Sequence, residues 1–135
     1  MAYLQWTENL SVGVARMDEH HKKLVDLINR VFDAMSGDAA STVDGVLAEL
    51  LDYTRYHFAE EEKLLAACSF PDLEEHQAVH RAMVKEVLEM RARHLDNPAS
   101  VTASETLDFL SKWLMRHIIG KDLRYRPFAE SHPAG

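Results

Sequence analysis

Residues 17–35 read MDEHHKKLVDLINRVFDAM, and the spacing of their apolar side chains decides the fold. Leu24, Val25, Ile28, Val31, Phe32 and Met35 follow one another at steps of three and four, the repeat of a helix with one buried face. Three later stretches repeat the pattern. Val43, Val46, Leu47, Leu50, Phe58 and Leu65 lie near one stripe, then Leu73, Met83, Val84, Val87 and Leu88, then Leu107, Leu110, Trp113, Leu114 and Ile118. The expectation is four amphipathic helices at about residues 18–35, 41–65, 72–94 and 102–125. Gly37, Pro71, Pro98 and Pro127 punctuate them, Ser41 and Thr102 are placed as N-caps, and Ser69 with Pro71 is placed to open the third helix. No stretch alternates as a strand. Short links favour antiparallel neighbours, so the prediction is an all-α, up-down-up-down antiparallel four-helix bundle. The first seventeen residues carry Tyr3, Leu4, Trp6, Leu10, Val12 and Val14, too apolar for a free tail. They are expected to form an N-terminal arm packed along the bundle.

With 135 residues, 47% of them hydrophobic, the chain suits one domain, residues 1–135, with a core of its own. Its net charge of −7 and the lack of any basic run argue against nucleic acid and anionic membrane surfaces as partners. Cys68 is the single cysteine, which excludes an internal disulfide and a thiolate metal cluster. No apolar run approaches the roughly 20 residues a membrane span needs. The N-terminus lacks the basic-then-apolar layout of a secretory signal, so the expected location is the cytoplasm. The outlier is histidine, with eight, at 20, 21, 57, 76, 80, 94, 117 and 132.

Several of these lie on the apolar stripes. His57 and Glu61 are four residues apart and leave nearly the same face of the second helix; His76 and His80 do the same on the third. His117 follows Leu110 and Leu114, and His21 precedes Leu24, Val25 and Ile28. A single histidine on an apolar face is ordinarily a hydrogen-bonded core residue, and a glutamate in the run Glu60-Glu61-Glu62 ordinarily faces water. Depth along the bundle changes that balance. The starts of the first and third helices share an end with the finishes of the second and fourth, so five histidines and a carboxylate converge at one level. Each buried unpaired polar group costs on the order of 1–3 kcal/mol, and a metal is the natural compensation. Asp122 lies five residues after His117, about 140° away on an ideal helix. A π-bulge or local unwinding at Gly120 would turn it inward.

Five imidazoles and two carboxylates are too many for one ion. Two six-coordinate metals sharing two bridging carboxylates and an oxide or hydroxide accommodate them, one metal taking three histidines and the other two, with a vacant position. Mixed imidazole and carboxylate ligation without thiolate fits iron, with zinc or manganese less favoured. Neither the zinc-protease pattern H-E-x-x-H nor the E-x-x-H of ferritin-like di-iron enzymes is present.

On these residues the sequence resembles the hemerythrin family, in its single-domain bacterial form. The matching pieces are Trp6, MDEHHKKL at 17–24, HFAEEEKLL at 57–65, HQAVH at 76–80 and WLMRHIIGKDLRY at 113–125. The resemblance implies that His76, His80 and His117 hold one iron, His21 and His57 the other, and that Glu61 and Asp122 bridge them. The family usually has Gln where this chain has His20, which leaves two adjacent histidines near the inward face; the motif assigns His21. The implied activity is reversible dioxygen binding for transport, storage or supply to an oxygen-consuming enzyme. Oxygen would enter at the vacant position of the two-histidine iron. Leu24, Phe58, Trp113, Leu114 and Ile118 match positions that line the family's oxygen pocket; plain core packing is the alternative for each.

The chain is expected not to be an enzyme, because no acid, base or substrate pocket beyond the seven ligands is visible. A di-iron oxidase or peroxidase is the alternative. Sensing is disfavoured, since 135 residues leave no room for a signalling domain. A monomer is expected. Cys68 reads as an incidental thiol, His94 and His132 as surface residues, and the methionines as core filler.

Overall fold

The computed structural model of the chain describes residues 4–35, 43–97 and 103–130. Four long helices form it: α1 (Ala15–Met35), α2 (Val43–Ala67), α3 (Leu73–Asp96) and α4 (Ala103–Gly120), followed by the short α5 (Arg126–Ala129). Single 3₁₀ turns span Glu8–Leu10 and Asp122–Tyr125, and there is no strand among the described residues. Gly37, Ser41, Pro98, Thr102, Tyr3 and His132 lie outside the described residues.

The amphipathic stripes meet as expected. Leu27, Ile28, Val31, Leu47, Leu50, Val87, Leu110 and Ile118 are wholly buried in one core. Each contributes roughly 1.5–3 kcal/mol by leaving water. Leu88, expected on the buried stripe, is 39% exposed instead. Met83, Val87 and Met90 hold the inward line of α3, and Leu88 sits one residue, about 100°, off it. Between α3 and α4 an open groove of about 440 Å³ remains, lined by Val79, Met83, Phe109, Trp113 and the cations Lys112 and Arg116 among others. The two helices are joined there by the Trp113 indole N–H, which donates to the Met83 carbonyl at 3.2 Å.

Helix ends differ from expectation for identifiable reasons. α1 begins at Ala15, three residues early. Asp18, expected to open it, lies in its first turn and accepts from the Ser11 hydroxyl at 2.6 Å and the Val12 amide at 2.9 Å. Ser69 does not open α3. It closes α2, with φ 58°, the Ser69 amide bonded to the Ala66 carbonyl at 3.2 Å and the Phe70 amide to Leu65 at 2.9 Å. That is a Schellman closure with serine where glycine is commoner. α4 stops at Gly120 and not at 125. The Lys121 amide still reaches the His117 carbonyl at 2.8 Å, but its φ of −123° leaves the helix and a 3₁₀ turn follows. Pro127 sits in the first turn of α5 and so starts structure where it was expected to end it.

The arm packs as anticipated. Asn29 clamps Leu4 with two 2.8 Å bonds, one to its amide and one to its carbonyl. Lys22 Nζ stands 4.7 Å from the centre of the Trp6 ring. Val12, Val14, Met17, Leu64, Leu65, Phe70, Tyr125 and Ala129 form a second apolar cluster. This plug is built from the arm, the start of α1, the end of α2 with the link that follows it, and the chain after α4, and it closes one end of the bundle. Arg126 ties it together by donating to the Ser11 carbonyl at 3.0 Å. Gly13 suits the close approach of this segment: its φ is +76°, which side chains rarely adopt, and a Cβ there would stand 3.2 Å from Arg126 Nε and 2.6 Å from Glu130 Oε2.

Candidate metal centre

The antiparallel arrangement brings the start of α1, the end of α2, the start of α3 and the end of α4 to one level, just inside the plug. His21, His57, Glu61, His76, His80, His117 and Asp122 all lie there, none more than 4% exposed. Asp122 reaches it because α4 unwinds after Gly120; the 3₁₀ turn carries the carboxylate inward that a continued helix would have turned away.

The donor atoms fall into two groups. Glu61 Oε1 lies 3.0 Å from both His76 Nε2 and His80 Nε2, and Asp122 Oδ1 lies 3.0 Å from His76 Nε2 and 2.9 Å from His117 Nε2. The other oxygens face the other way. Glu61 Oε2 is 3.5 Å from His21 Nε2 and 3.4 Å from His57 Nε2, and Asp122 Oδ2 is 3.2 Å from His21 Nε2. Each carboxylate therefore gives one oxygen to a three-histidine set and one to a two-histidine set. Within each set the ligand atoms all lie within 4.8 Å of one another.

Hydrogen bonding accounts for only part of this geometry, the 3.0 Å contact of His76 Nε2 with Glu61 Oε1. His21 Nε2, His57 Nε2 and both Asp122 oxygens are fully buried without a well-formed hydrogen bond. His80 Nε2 and His117 Nε2 face each other at 3.2 Å, two like atoms in the places of ligands. Such a set is costly unless cations fill it, so the residues present fit a pair of metal ions.

Without metal, the close packing of imidazoles and carboxylates shifts their protonation. Burial pushes the Glu61 and Asp122 carboxyls up, but the surrounding imidazoles outweigh it and hold both well below the usual carboxylate range. Burial opposes a charge on His21 and His76; the carboxylates of Asp122 and Glu61, 3.0–3.5 Å from their Nε2 atoms, overcome it and raise them to about 10 and about 9. His57 goes the other way, lowered chiefly by burial.

A further ring of partners was not singled out from the sequence. The Tyr125 phenol donates to Glu61 Oε2 at 2.8 Å; burial first, then Glu61 and Asp122, push its pKa well above the ordinary value. Tyr125 is three residues beyond Asp122, the same side of a 3₁₀ turn, a relation visible only once the helix is known to end. Glu62 Oε2 pairs with His80 Nδ1 at 2.7 Å, although it sits in an acidic run that reads as surface. His20 does not join the donor sets. It is buried, its Nδ1 is 2.8 Å from His57 Nδ1, and burial followed by the neighbouring His57 lowers it to about 4.

Of the expected oxygen-pocket residues, Leu24, Phe58, Trp113, Leu114 and Ile118 are all buried in the main core. Phe58 lies flat on His80, ring centres 3.7 Å apart, and 5.8 Å from those of His57 and His117. Trp113 and His117 both line the groove between α3 and α4. His94 is half-buried, and the half-buried Cys68 thiol points at the Leu65 carbonyl, 3.6 Å away, with its pKa raised by burial.

Comparison with known proteins gives the same answer. Residues 12–129 match the hemerythrin HHE cation binding domain. A bacteriohemerythrin of Stenotrophomonas maltophilia is 32% identical over 132 residues, 98% of this chain and 85% of its own length. Another, of Pseudomonas aeruginosa, is 34% identical over 93% of this chain and 80% of its own. A crystal structure of wild-type hemerythrin superposes with a TM-score of 0.85 at 26% identity, covering 96% of this chain and 100% of that one. The fold, the buried donor sets and these matches agree: the chain belongs to the hemerythrin family.

Proposed function

We propose that the chain binds dioxygen reversibly at a non-haem di-iron centre, as an oxygen carrier, store or supplier to an oxygen-consuming enzyme, and that it is not itself an enzyme. The observation that carries this reading is the division of the carboxylate oxygens, one of Glu61 and one of Asp122 to each histidine set. Imidazole and carboxylate donors without thiolate favour iron. An iron pair held there would supply the two electrons that reversible dioxygen binding draws on.

The residues divide the remaining work. His76, His80 and His117 with Glu61 and Asp122 make five donors, whereas His21 and His57 with the same carboxylates make four. The side with fewer donors is the one with room for a small ligand. Leu24, Phe58, Trp113, Leu114 and Ile118, at most 7% exposed, keep the surroundings apolar and discourage water. The plug of Val12, Val14, Phe70 and Tyr125 covers the adjoining end of the bundle. A carrier must also withhold protons. The Tyr125 hydroxyl is committed to Glu61 and is a weak acid in this setting, so it is poorly suited to drive onward chemistry. No described helix is long and apolar enough to cross a membrane. A monomer in the cytoplasm is our proposal from the sequence alone.

The test is the visible spectrum of the reduced, iron-loaded protein without oxygen, after air, and after vacuum. A colour that appears and disappears over repeated cycles supports the carrier. Sustained oxygen consumption with a reductant present favours a di-iron oxidase or peroxidase, and a spectrum that air does not change overturns oxygen binding.

A further inference from the structure

We propose that His20 is a positioning residue for the metal centre: its bare Nδ1 accepts the hydrogen bond of His57 Nδ1–H and so fixes which nitrogen His57 presents to the carboxylates. The proposal rests on the reading of His21, His57, Glu61 and Asp122 as a metal position.

The geometry leaves one consistent assignment of protons. The two Nδ1 atoms are 2.8 Å apart, so one donates and the other accepts. His57 Nε2 faces Glu61 Oε2 at 3.4 Å inside the donor set and must be bare to serve as a ligand. His57 therefore carries its proton on Nδ1 and donates it. His20 must accept with Nδ1 and hold its own proton on Nε2, as a neutral ring. A ligating histidine commonly gives its second N–H to a carboxylate or carbonyl, which sets both tautomer and ring angle. His80 follows that rule with Glu62, 2.7 Å from its Nδ1. At His57 the same task falls to an imidazole.

His20 is itself held. Its ring meets Tyr53 edge-on at 5.8 Å and Tyr56 at 5.4 Å, and it crosses the His57 ring nearly at right angles at 5.0 Å. At 7% exposure it is shielded from the water that would otherwise compete for the bond. Two adjacent histidines thus divide the labour on α1, with His21 turned into the donor set and His20 supporting the neighbouring helix.

The experiment uses zinc, a diamagnetic probe with a taste for nitrogen and oxygen donors. Metal-free parent, His20→Phe and His20→Gln are titrated with zinc, and their metal-free melting temperatures are compared. Phe keeps a ring against Tyr53 and Tyr56 but offers no acceptor; the Gln carbonyl restores one. The parent should take two zinc ions. His20→Phe should lose about 10- to 100-fold in affinity for one of them and none for the other, and His20→Gln should recover the parent's value. In the zinc-loaded parent carrying ¹⁵N-histidine, a coupling across the hydrogen bond should link His57 Nδ1 to His20 Nδ1. Absence of that coupling overturns the proposal, and it decides the matter even if His20→Phe fails to fold. Two unchanged affinities in a folded His20→Phe, or an equal loss of both, also overturn it while leaving the dinuclear reading intact. A parent that binds a single zinc overturns that reading and the proposal with it.

Discussion

Tyr125→Phe removes one oxygen atom from the centre's surroundings, and its cost follows from the structure. Tyr125 is wholly buried, and its hydroxyl donates to Glu61 Oε2 at 2.8 Å. Phenylalanine preserves the ring that packs near Phe70 at 6.2 Å and His76 at 5.9 Å, so little apolar contact is lost. What goes is a hydrogen bond to a buried carboxylate, worth about 1.5–3 kcal/mol. For 135 residues, an unfolding entropy of roughly 2.1 cal/mol/K per residue converts each kcal/mol to about 3.5 °C. The metal-free variant should therefore melt about 5–10 °C below the parent, read by circular dichroism at one pH and protein concentration. His21, His57, His76 and His80 remain around Glu61, which places the expected loss toward the lower end. A variant that melts with the parent would show that the phenol does not support Glu61, and the argument for a hydrogen-bonded ring around the donors would fail with it.

Two further predictions concern the site. Leu114, 2% exposed and one turn before His117, is argued to keep the open side dry. Leu114→Ala should retain two irons and oxygen binding, autoxidise faster, and lose roughly 2–5 kcal/mol of stability; equal autoxidation rates at matched iron content would reduce Leu114 to core packing. In the metal-free protein His21 and His76 are raised to about 10 and about 9, so both are protonated near neutrality. Both lie above the ordinary value, so their charged forms stabilise the metal-free fold fully below about pH 6.5, and that contribution is lost as pH rises through about 9 to 10. Metal requires them neutral. Loading at about pH 7.5 should then release about two protons per chain, measured by titration at constant pH, and affinity should weaken as pH falls. Loading without proton release would contradict the assignment.

How much of this is readable in the sequence depends on which geometry each residue needs. The stripes of α1, α2 and α4 are legible because a regular helix carries them, and the convergence of the five histidines follows from antiparallel order alone. Asp122 is a different case. Its inward aim requires α4 to unwind, which Gly120 hints at but which the backbone angles of Lys121 decide. Tyr125 is hidden for the same reason, since its alignment with Asp122 exists only in the 3₁₀ turn. Ser69 misleads because its hydroxyl type suggests a helix start, whereas its left-handed backbone makes a helix end. Glu62 and His20 show a further limit. Both are supporting partners of ligand-type histidines on other helices, Glu62 of His80 and His20 of His57, and spacing along a single helix cannot reveal a bond across two.

The central claim is that Glu61 and Asp122 each span two metal positions. A crystal of the iron-loaded protein, measured above and below the iron absorption edge, addresses it directly. The account predicts two anomalous peaks per chain, one bounded by His76, His80, His117, Glu61 Oε1 and Asp122 Oδ1, the other by His21, His57, Glu61 Oε2 and Asp122 Oδ2. A single peak, or a second peak that touches neither carboxylate, would contradict it.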